Sequence, residues 1–131
     1  MNQNSVMLGA KTIAVVDDNI DFLESLVSIL RRHGFEACGF NDPVACLELM
    51  SSWKPDLVLS DYEMPQMSGL VFLHNVRLLF PDLPCLLVTG SSSMELTRLA
   101  SAAGCAAVVA KPFEMKFLID MIHRCLNALE S

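Results

Sequence analysis

Short apolar runs and apolar positions at helical spacing alternate along most of the chain. Thr12-Ile13-Ala14-Val15-Val16 is an unbroken run that stops at Asp17-Asp18-Asn19, and an unbroken rather than alternating run predicts a strand covered on both faces. From Ile20 the apolar residues Ile20, Leu23, Leu26, Val27 and Leu30 recur at helical spacing, and Gly34 after Arg31-Arg32-His33 predicts the stop. Phe35 to Phe40 reads as a weaker second strand. Asn41-Asp42-Pro43 then predicts a cap with proline at the first helical position of a second helix, which runs to about Met50. Lys54-Pro55 breaks the chain before a third strand, Leu57 to Ser60. Ser68-Gly69 opens a third helix with Leu70, Leu73 and Val76 on one face, ended by Pro81 and Pro84. Pro84 to Thr89 predicts a fourth strand. Ser92 and Glu95, at capping-box spacing, predict the start of a fourth helix that runs to about Ala103. Cys105 to Ala110 is the expected fifth strand, ending at Lys111-Pro112, and Phe113 to Leu129 the fifth helix, with a broad apolar stripe.

This alternation predicts an α/β fold, a parallel sheet with helices on both faces joined by right-handed crossovers. No linker, repeat or low-complexity segment interrupts it, so a single domain is expected over 11–129, after a disordered or poorly ordered polar tail over 1–10. At 131 residues and 53% hydrophobic composition, one such domain buries a sufficient core without staples. Trp53 reads as a loop packing residue. The five cysteines are odd in number, sit in apolar contexts and form no Cys-x-x-Cys pair, which predicts small buried residues in a reducing compartment. The net charge of -6 argues against nucleic-acid binding by this chain, because that affinity comes from Lys and Arg neutralising phosphates. No apolar run approaches the roughly 20 residues a membrane span needs, and Met1-Asn2-Gln3-Asn4-Ser5 lacks the basic and apolar regions of a signal peptide. A soluble cytoplasmic protein without membrane contact is therefore expected.

In an open parallel sheet every strand's carboxyl end lies on one edge, and ligands bind there. The residues at those ends are Asp17, Asp18 and Asn19 after the first strand, Asp61 after the third, Thr89 after the fourth and Lys111 after the fifth. Any one of them alone reads as a cap, a turn or a solvated side chain. Together at the exits of one sheet they read as chemistry. Asp17 and Asp18 are adjacent and reach one site only if both lie past the last regular strand pair. Three carboxylates in one place repel, and a cation relieves them. An all-oxygen donor set favours Mg²⁺, with Mn²⁺ able to substitute, over Zn²⁺. Mg²⁺ bound this way usually also holds a substrate phosphate, for which Lys111 supplies a point charge and the Thr89 hydroxyl a donor. His33, His74 and His123 lie far apart in sequence, and none is expected to be catalytic.

Val15-Val16-Asp17-Asp18, Ser60-Asp61-Tyr62-Glu63-Met64-Pro65-Gln66-Met67-Ser68-Gly69, Val88-Thr89-Gly90 and Lys111-Pro112-Phe113, taken together in this order and spacing, resemble the receiver domain of two-component response regulators. The resemblance spans about residues 11 to 129. It implies a flavodoxin-like doubly wound five-stranded sheet of order 2-1-3-4-5 with five helices, and Asp61 as the acceptor of a phosphoryl group. It further implies that Asp18, Asp61 and the Glu63 backbone carbonyl ligate Mg²⁺, that Asp17 does so through a water, and that Thr89 and Lys111 bind the phosphoryl group. The Lys111-Pro112 bond would be cis. The implied donor is the phosphohistidine of a sensor histidine kinase or phosphotransfer protein, or a small donor such as acetyl phosphate. The acyl phosphate would hydrolyse slowly, the chain being a signalling domain rather than a turnover enzyme, and the switch would act on an output domain or downstream protein.

One position departs from the family pattern. Receivers usually carry Tyr or Phe three residues before the lysine, and here that residue is Val108, so output by backbone shifts or dimerisation is expected in place of an aromatic toggle. Glu63 and Ser91 follow Asp61 and Thr89 by two residues; they read either as tuning acyl-phosphate lifetime or as solvated surface. The apolar excess from the fourth to the fifth helix (Met94, Leu96, Leu99, Met115, Phe117, Leu118, Met121, Ile122) exceeds one stripe, which points to a homodimer or partner face over helix four, strand five and helix five. Rival readings are a binding module that works without phosphorylation, a flavin-binding electron carrier and a haloacid-dehalogenase-like phosphatase. The flavin reading requires a Gly/Ser/Thr-rich phosphate cradle after the first strand, where this chain has carboxylates. The polar end at Glu130-Ser131 fits both a complete protein and a receiver joined to further chain.

Overall fold

A computed structural model describes residues 9–130; most of the tail read over 1–10 lies outside them. The elements are β1 (Thr12–Val16), α1 (Ile20–Arg32), β2 (Glu36–Phe40), α2 (Pro43–Leu49), β3 (Leu57–Asp61), α3 (Gly69–Leu79), β4 (Cys85–Thr89), α4 (Met94–Ala102), β5 (Ala107–Ala110) and α5 (Met115–Glu130). The five strands form one sheet of order β2-β1-β3-β4-β5, and every neighbouring pair is parallel. This is the flavodoxin-like order that the resemblance implies.

The unbroken apolar runs exist because both faces of the sheet are covered. Ile13, Val15, Leu57, Leu59, Leu86, Val88 and Val109 pack under α1 and α5, against Leu23, Leu26, Leu30, Leu118, Ile122 and Leu126. The alternate residues Ala14, Val16, Val58, Cys85 and Leu87 face the other layer, against Cys46 and Met50 from α2 and its end, Phe72, Leu73 and Val76 of α3, and Leu96 and Ala100 of α4. Each large side chain fully buried here contributes about 1.5–3 kcal/mol. On the edge strand β2, the Ala37 carbonyl accepts from Arg31 Nε and Nη2 at 3.1 and 2.9 Å, which occupies an acceptor on an exposed sheet edge.

Asp42 caps α2 with proline following, and Ser68 caps α3, both as the sequence predicts. Gly34 takes φ +92° after α1, the left-handed stop glycine allows. At α4 the cap is Ser93 rather than Ser92: its hydroxyl accepts from Leu96 N–H at 3.1 Å, and Glu95 falls in the first turn without a capping-box partner. The choice seats Leu96 and Ala100 in the core. β5 begins at Ala107 rather than Cys105, because Cys105 N–H still bonds back to Ala100 O at 2.9 Å as part of the helix exit. α5 begins at Met115 rather than Phe113, after a cis Lys111-Pro112 bond. Ile20, read as part of the buried stripe of α1, is 51% exposed because it is the first residue of the helix, at the rim. The cysteines are all free, but only Cys46 and Cys85 are fully buried; Cys38, Cys105 and Cys125 are partly exposed. Trp53 packs on Phe40, with ring centroids 6.1 Å apart.

Candidate functional site

β1 ends at Val16, and the Asp17 N–H continues its ladder by donating to Phe40 O at 3.1 Å. That bond holds Asp17 just beyond the strand, where its carboxylate turns back. Its Oδ1 accepts from Asn19 N–H at 2.9 Å, and Asn19 in turn caps α1 by accepting from Phe22 N–H at 3.0 Å. Asp17 is buried and Asp18 exposed. Both lie past the last β1 pair, the condition for both to reach one site.

Asp61 is the final residue of β3, paired in register with Val88, and only 7% exposed. Its position depends on Gly69, whose N–H donates to Tyr62 O at 2.7 Å. A Cβ on Gly69 would collide with the Asp61 carbonyl oxygen and lie 2.8 Å from Tyr62 Cα. Thr89 ends β4 with no exposed surface, and its hydroxyl oxygen accepts from Ser91 N–H at 3.0 Å. Lys111 N–H donates to Thr89 O at 2.7 Å, setting the lysine beside the threonine.

The side chain of Lys111 then crosses to the acids. Its Nζ is 3.2 Å from Asp61 Oδ1 and 3.4 Å from Asp17 Oδ2, and it lies 4.5 Å from the centroid of the Phe22 ring. Asp17, Asp18 and Asp61 each offer a carboxylate oxygen within 4.8 Å of the others. Burial and the Asp17 carboxylate push the Asp61 pKa above its ordinary value, with Lys111 opposing and Asp18 adding to the rise. Burial by itself would lower the Lys111 pKa, but the Asp17 and Asp61 carboxylates and their hydrogen bonds outweigh it and the value is raised. One ammonium against three carboxylates leaves net negative charge on oxygen donors alone, and that arrangement fits a hard divalent cation.

The predicted residues Asp17, Asp18, Asp61 and Lys111 are thus brought together, with Thr89 beside Lys111. Glu63 stands exposed at the rim, where its Oε2 accepts from Ser91 Oγ at 3.0 Å. The histidines are elsewhere and exposed: His33 contacts Ile29 O and His123 packs on Phe35. Two residues at the site are not singled out by the sequence pattern. Gly69 reads there only as a helix opener, and Phe22 lies outside the buried stripe of α1; an aromatic in the first turn after an acidic loop is its only signal.

Comparison with known proteins gives one family. The sequence model of the response regulator receiver domain matches residues 13–123. The chain is 28% identical to the response regulator receiver protein CpdR of Brucella abortus over 118 residues, covering 90% of this chain and 98% of that one. It is 30% identical to the C4-dicarboxylate transport transcriptional regulatory protein DctD of Rhizobium meliloti, covering 90% of this chain but 26% of the relative. Against the Escherichia coli DNA-binding transcriptional regulator NtrC it is 29% identical and spans 24% of that length. Among solved structures, a CheY-like response regulator receiver domain protein from Methanospirillum hungatei superposes with a TM-score of 0.88 at 29% identity, covering 92% of this chain and 97% of that one. Chemotaxis protein CheY4 of Vibrio cholerae gives 0.84 at 26% identity, covering 88% and 98%. With that match across the folded region and the acidic edge of its sheet, the chain belongs to the receiver domain family of two-component response regulators.

Proposed function

We propose that this receiver accepts a phosphoryl group on Asp61, in a Mg²⁺-dependent reaction, from the phosphohistidine of a sensor histidine kinase or phosphotransfer protein or from a small acyl phosphate. The observation that carries the reading is the cluster of three carboxylates, two of them paired with the Lys111 ammonium, at the carboxyl edge of the sheet. Asp18, Asp61 and the Glu63 carbonyl would hold the ion, with Asp17 acting through a water. When bound, Mg²⁺ neutralises charge on the carboxylates and on the incoming phosphoryl oxygens. An Asp61 oxygen attacks phosphorus, the bond from phosphorus to the donor's imidazole nitrogen breaks with its electron pair kept by the imidazole, and an acyl phosphate results. Lys111 holds one phosphoryl oxygen by charge and the Thr89 hydroxyl donates to another, so the chain contributes positioning and electrostatics. Water later attacks phosphorus, releases inorganic phosphate and restores the carboxylate. The chain is therefore a switch modified on itself rather than a turnover enzyme.

The output is an attached domain or a separate protein; this chain spans about a quarter of the length of DctD and NtrC, whereas CpdR is nearly all receiver. The face formed by α4, β5 and α5, where Met94 is 91% and Phe117 51% exposed, is our proposed surface for a homodimer or partner. Among the described residues no helix is long and apolar enough to cross a membrane, and a cytoplasmic location is proposed with the kinase. Intact mass after incubation with acetyl phosphate and Mg²⁺ tests the reading. Wild type gains one phosphoryl group; the same gain in Asp61→Ala would overturn the assignment.

A further inference from the structure

Lys111 has a third partner that is not an anion. Its ammonium sits 4.5 Å from the centroid of the half-buried Phe22 ring, which comes from the first turn of α1. That ring is met edge-on by Phe113, with centroids 6.3 Å apart and planes at 81°. The aromatic pair thus joins α1 to the segment after Lys111-Pro112 and adds an aromatic contact to the lysine beside its two acids.

We propose that Phe22 is a positioning residue for Lys111, holding the ammonium at the site through its ring face before and after the phosphoryl group arrives. The inference rests on the reading of Asp61 as phosphoacceptor. Lysine carries its charge on a flexible four-carbon stem, so its place at the site is set by what it touches. In the unmodified protein the Asp61 and Asp17 carboxylates hold it. Phosphorylation turns the Asp61 carboxylate into an acyl phosphate, and the ion pair must be exchanged for one with a phosphoryl oxygen. The contact with Phe22 is not consumed by that chemistry. It restrains Lys111 while its anionic partner changes, and the ring's negative face attracts the ammonium in both states.

The test compares the rate of phosphoryl uptake from acetyl phosphate with Mg²⁺, read by intact mass, in wild type, Phe22→Leu, Phe22→Trp, Lys111→Met and the Phe22→Leu/Lys111→Met double variant, each checked by thermal melting. A small donor is used because Phe22 also lines an apolar groove with Leu26, Ile29 and Phe113, so a protein donor would report docking as well. Leu keeps apolar bulk and removes the ring face. Phe22→Leu is expected to slow uptake about two- to fivefold, because once the ammonium leaves Asp61 the ring contact sets how much of the time it stays in place for the phosphoryl oxygen. Phe22→Trp should match or exceed wild type, and Phe22→Leu should have no further effect once Lys111 is Met. Should Phe22→Leu fail to fold, Phe22→Met takes its place with the same expected loss. Uptake by Phe22→Leu at the wild-type rate, or an equal loss in the Lys111→Met background, would overturn the proposal while leaving the phosphoacceptor reading intact. Absence of uptake by wild type would overturn both.

Discussion

Ser91 Oγ donates a 3.0 Å hydrogen bond to Glu63 Oε2, tying the loop after β3 to the loop after β4 at the mouth of the site. Ser91 also gives its backbone N–H to Thr89 Oγ1, so one residue touches both the rim carboxylate and the buried hydroxyl. Ser91→Ala frees the Glu63 carboxylate to accept a proton from attacking water, as a general base would. A charge-assisted hydrogen bond between exposed groups is worth about 1 kcal/mol, so the acyl-phosphate half-life should shorten by roughly two- to fivefold. Phosphate release from the purified phosphorylated protein measures it. Half-lives unchanged in both Ser91→Ala and Glu63→Ala would make the pair ordinary surface.

Asp61→Asn should stabilise the metal-free protein at neutral pH. Because burial and Asp17 raise the folded-state pKa of Asp61 above its ordinary 3.8, the folded protein binds this proton more tightly than the unfolded chain. Its contribution favours folding below 3.8 and is lost as pH rises through the folded-state value, leaving an ionised carboxylate that costs stability at pH 7. Melting curves across pH should show the Asn variant ahead at pH 7 and level with wild type near the acid end. An Asn variant less stable at pH 7 would reverse the sign.

Mg²⁺ should raise the melting temperature of wild type in proportion to ln(1 + [Mg²⁺]/Kd), since only the folded state gathers the three carboxylates. Asp18→Asn removes one exposed ligand without disturbing the core and should abolish most of the rise. A full Mg²⁺ response in that variant would remove Asp18 from the ligand set.

Gly69→Ala should cost about 1–3 kcal/mol, the usual penalty of overpacking, because the added methyl group meets backbone at Asp61 and Tyr62. Gly90→Ala is the control: the nearest atom to its Cβ is Glu63 Oε1 at 4.0 Å, and it should melt near wild type. Chemical denaturation compares the two; equal stabilities would contradict the close approach.

Val108→Tyr should change dimerisation or partner binding of the phosphorylated protein and leave the rate of phosphoryl uptake as it is. Val108 lies partly buried against the core beneath α4, in register with Leu87, and is not among the groups around Asp61. Sedimentation with and without a phosphoryl analogue measures the first effect. No change in either association would show the position to be silent.

The periodicity of apolar residues by itself determines the alternation of strands and helices, the caps at Asp42 and Ser68, and the set of polar groups at the strand exits. Each of these depends on neighbours a few residues away, and the chain's own spacing records them. Local pattern does not choose between adjacent serines, both able to cap; Ser93 wins over Ser92 because that start of α4 delivers Leu96 and Ala100 to the sheet. Sheet order is likewise absent from periodicity, which is the same for any arrangement of five buried strands, and it was anticipated only through the family resemblance. What tertiary structure alone decided is which side chains pair at that shared edge. Lys111 reaches Asp61 across 50 residues and Asp17 across 94, Phe22 backs that lysine, and Ser91 finds Glu63. Such partners are set by strand register and side-chain reach through space.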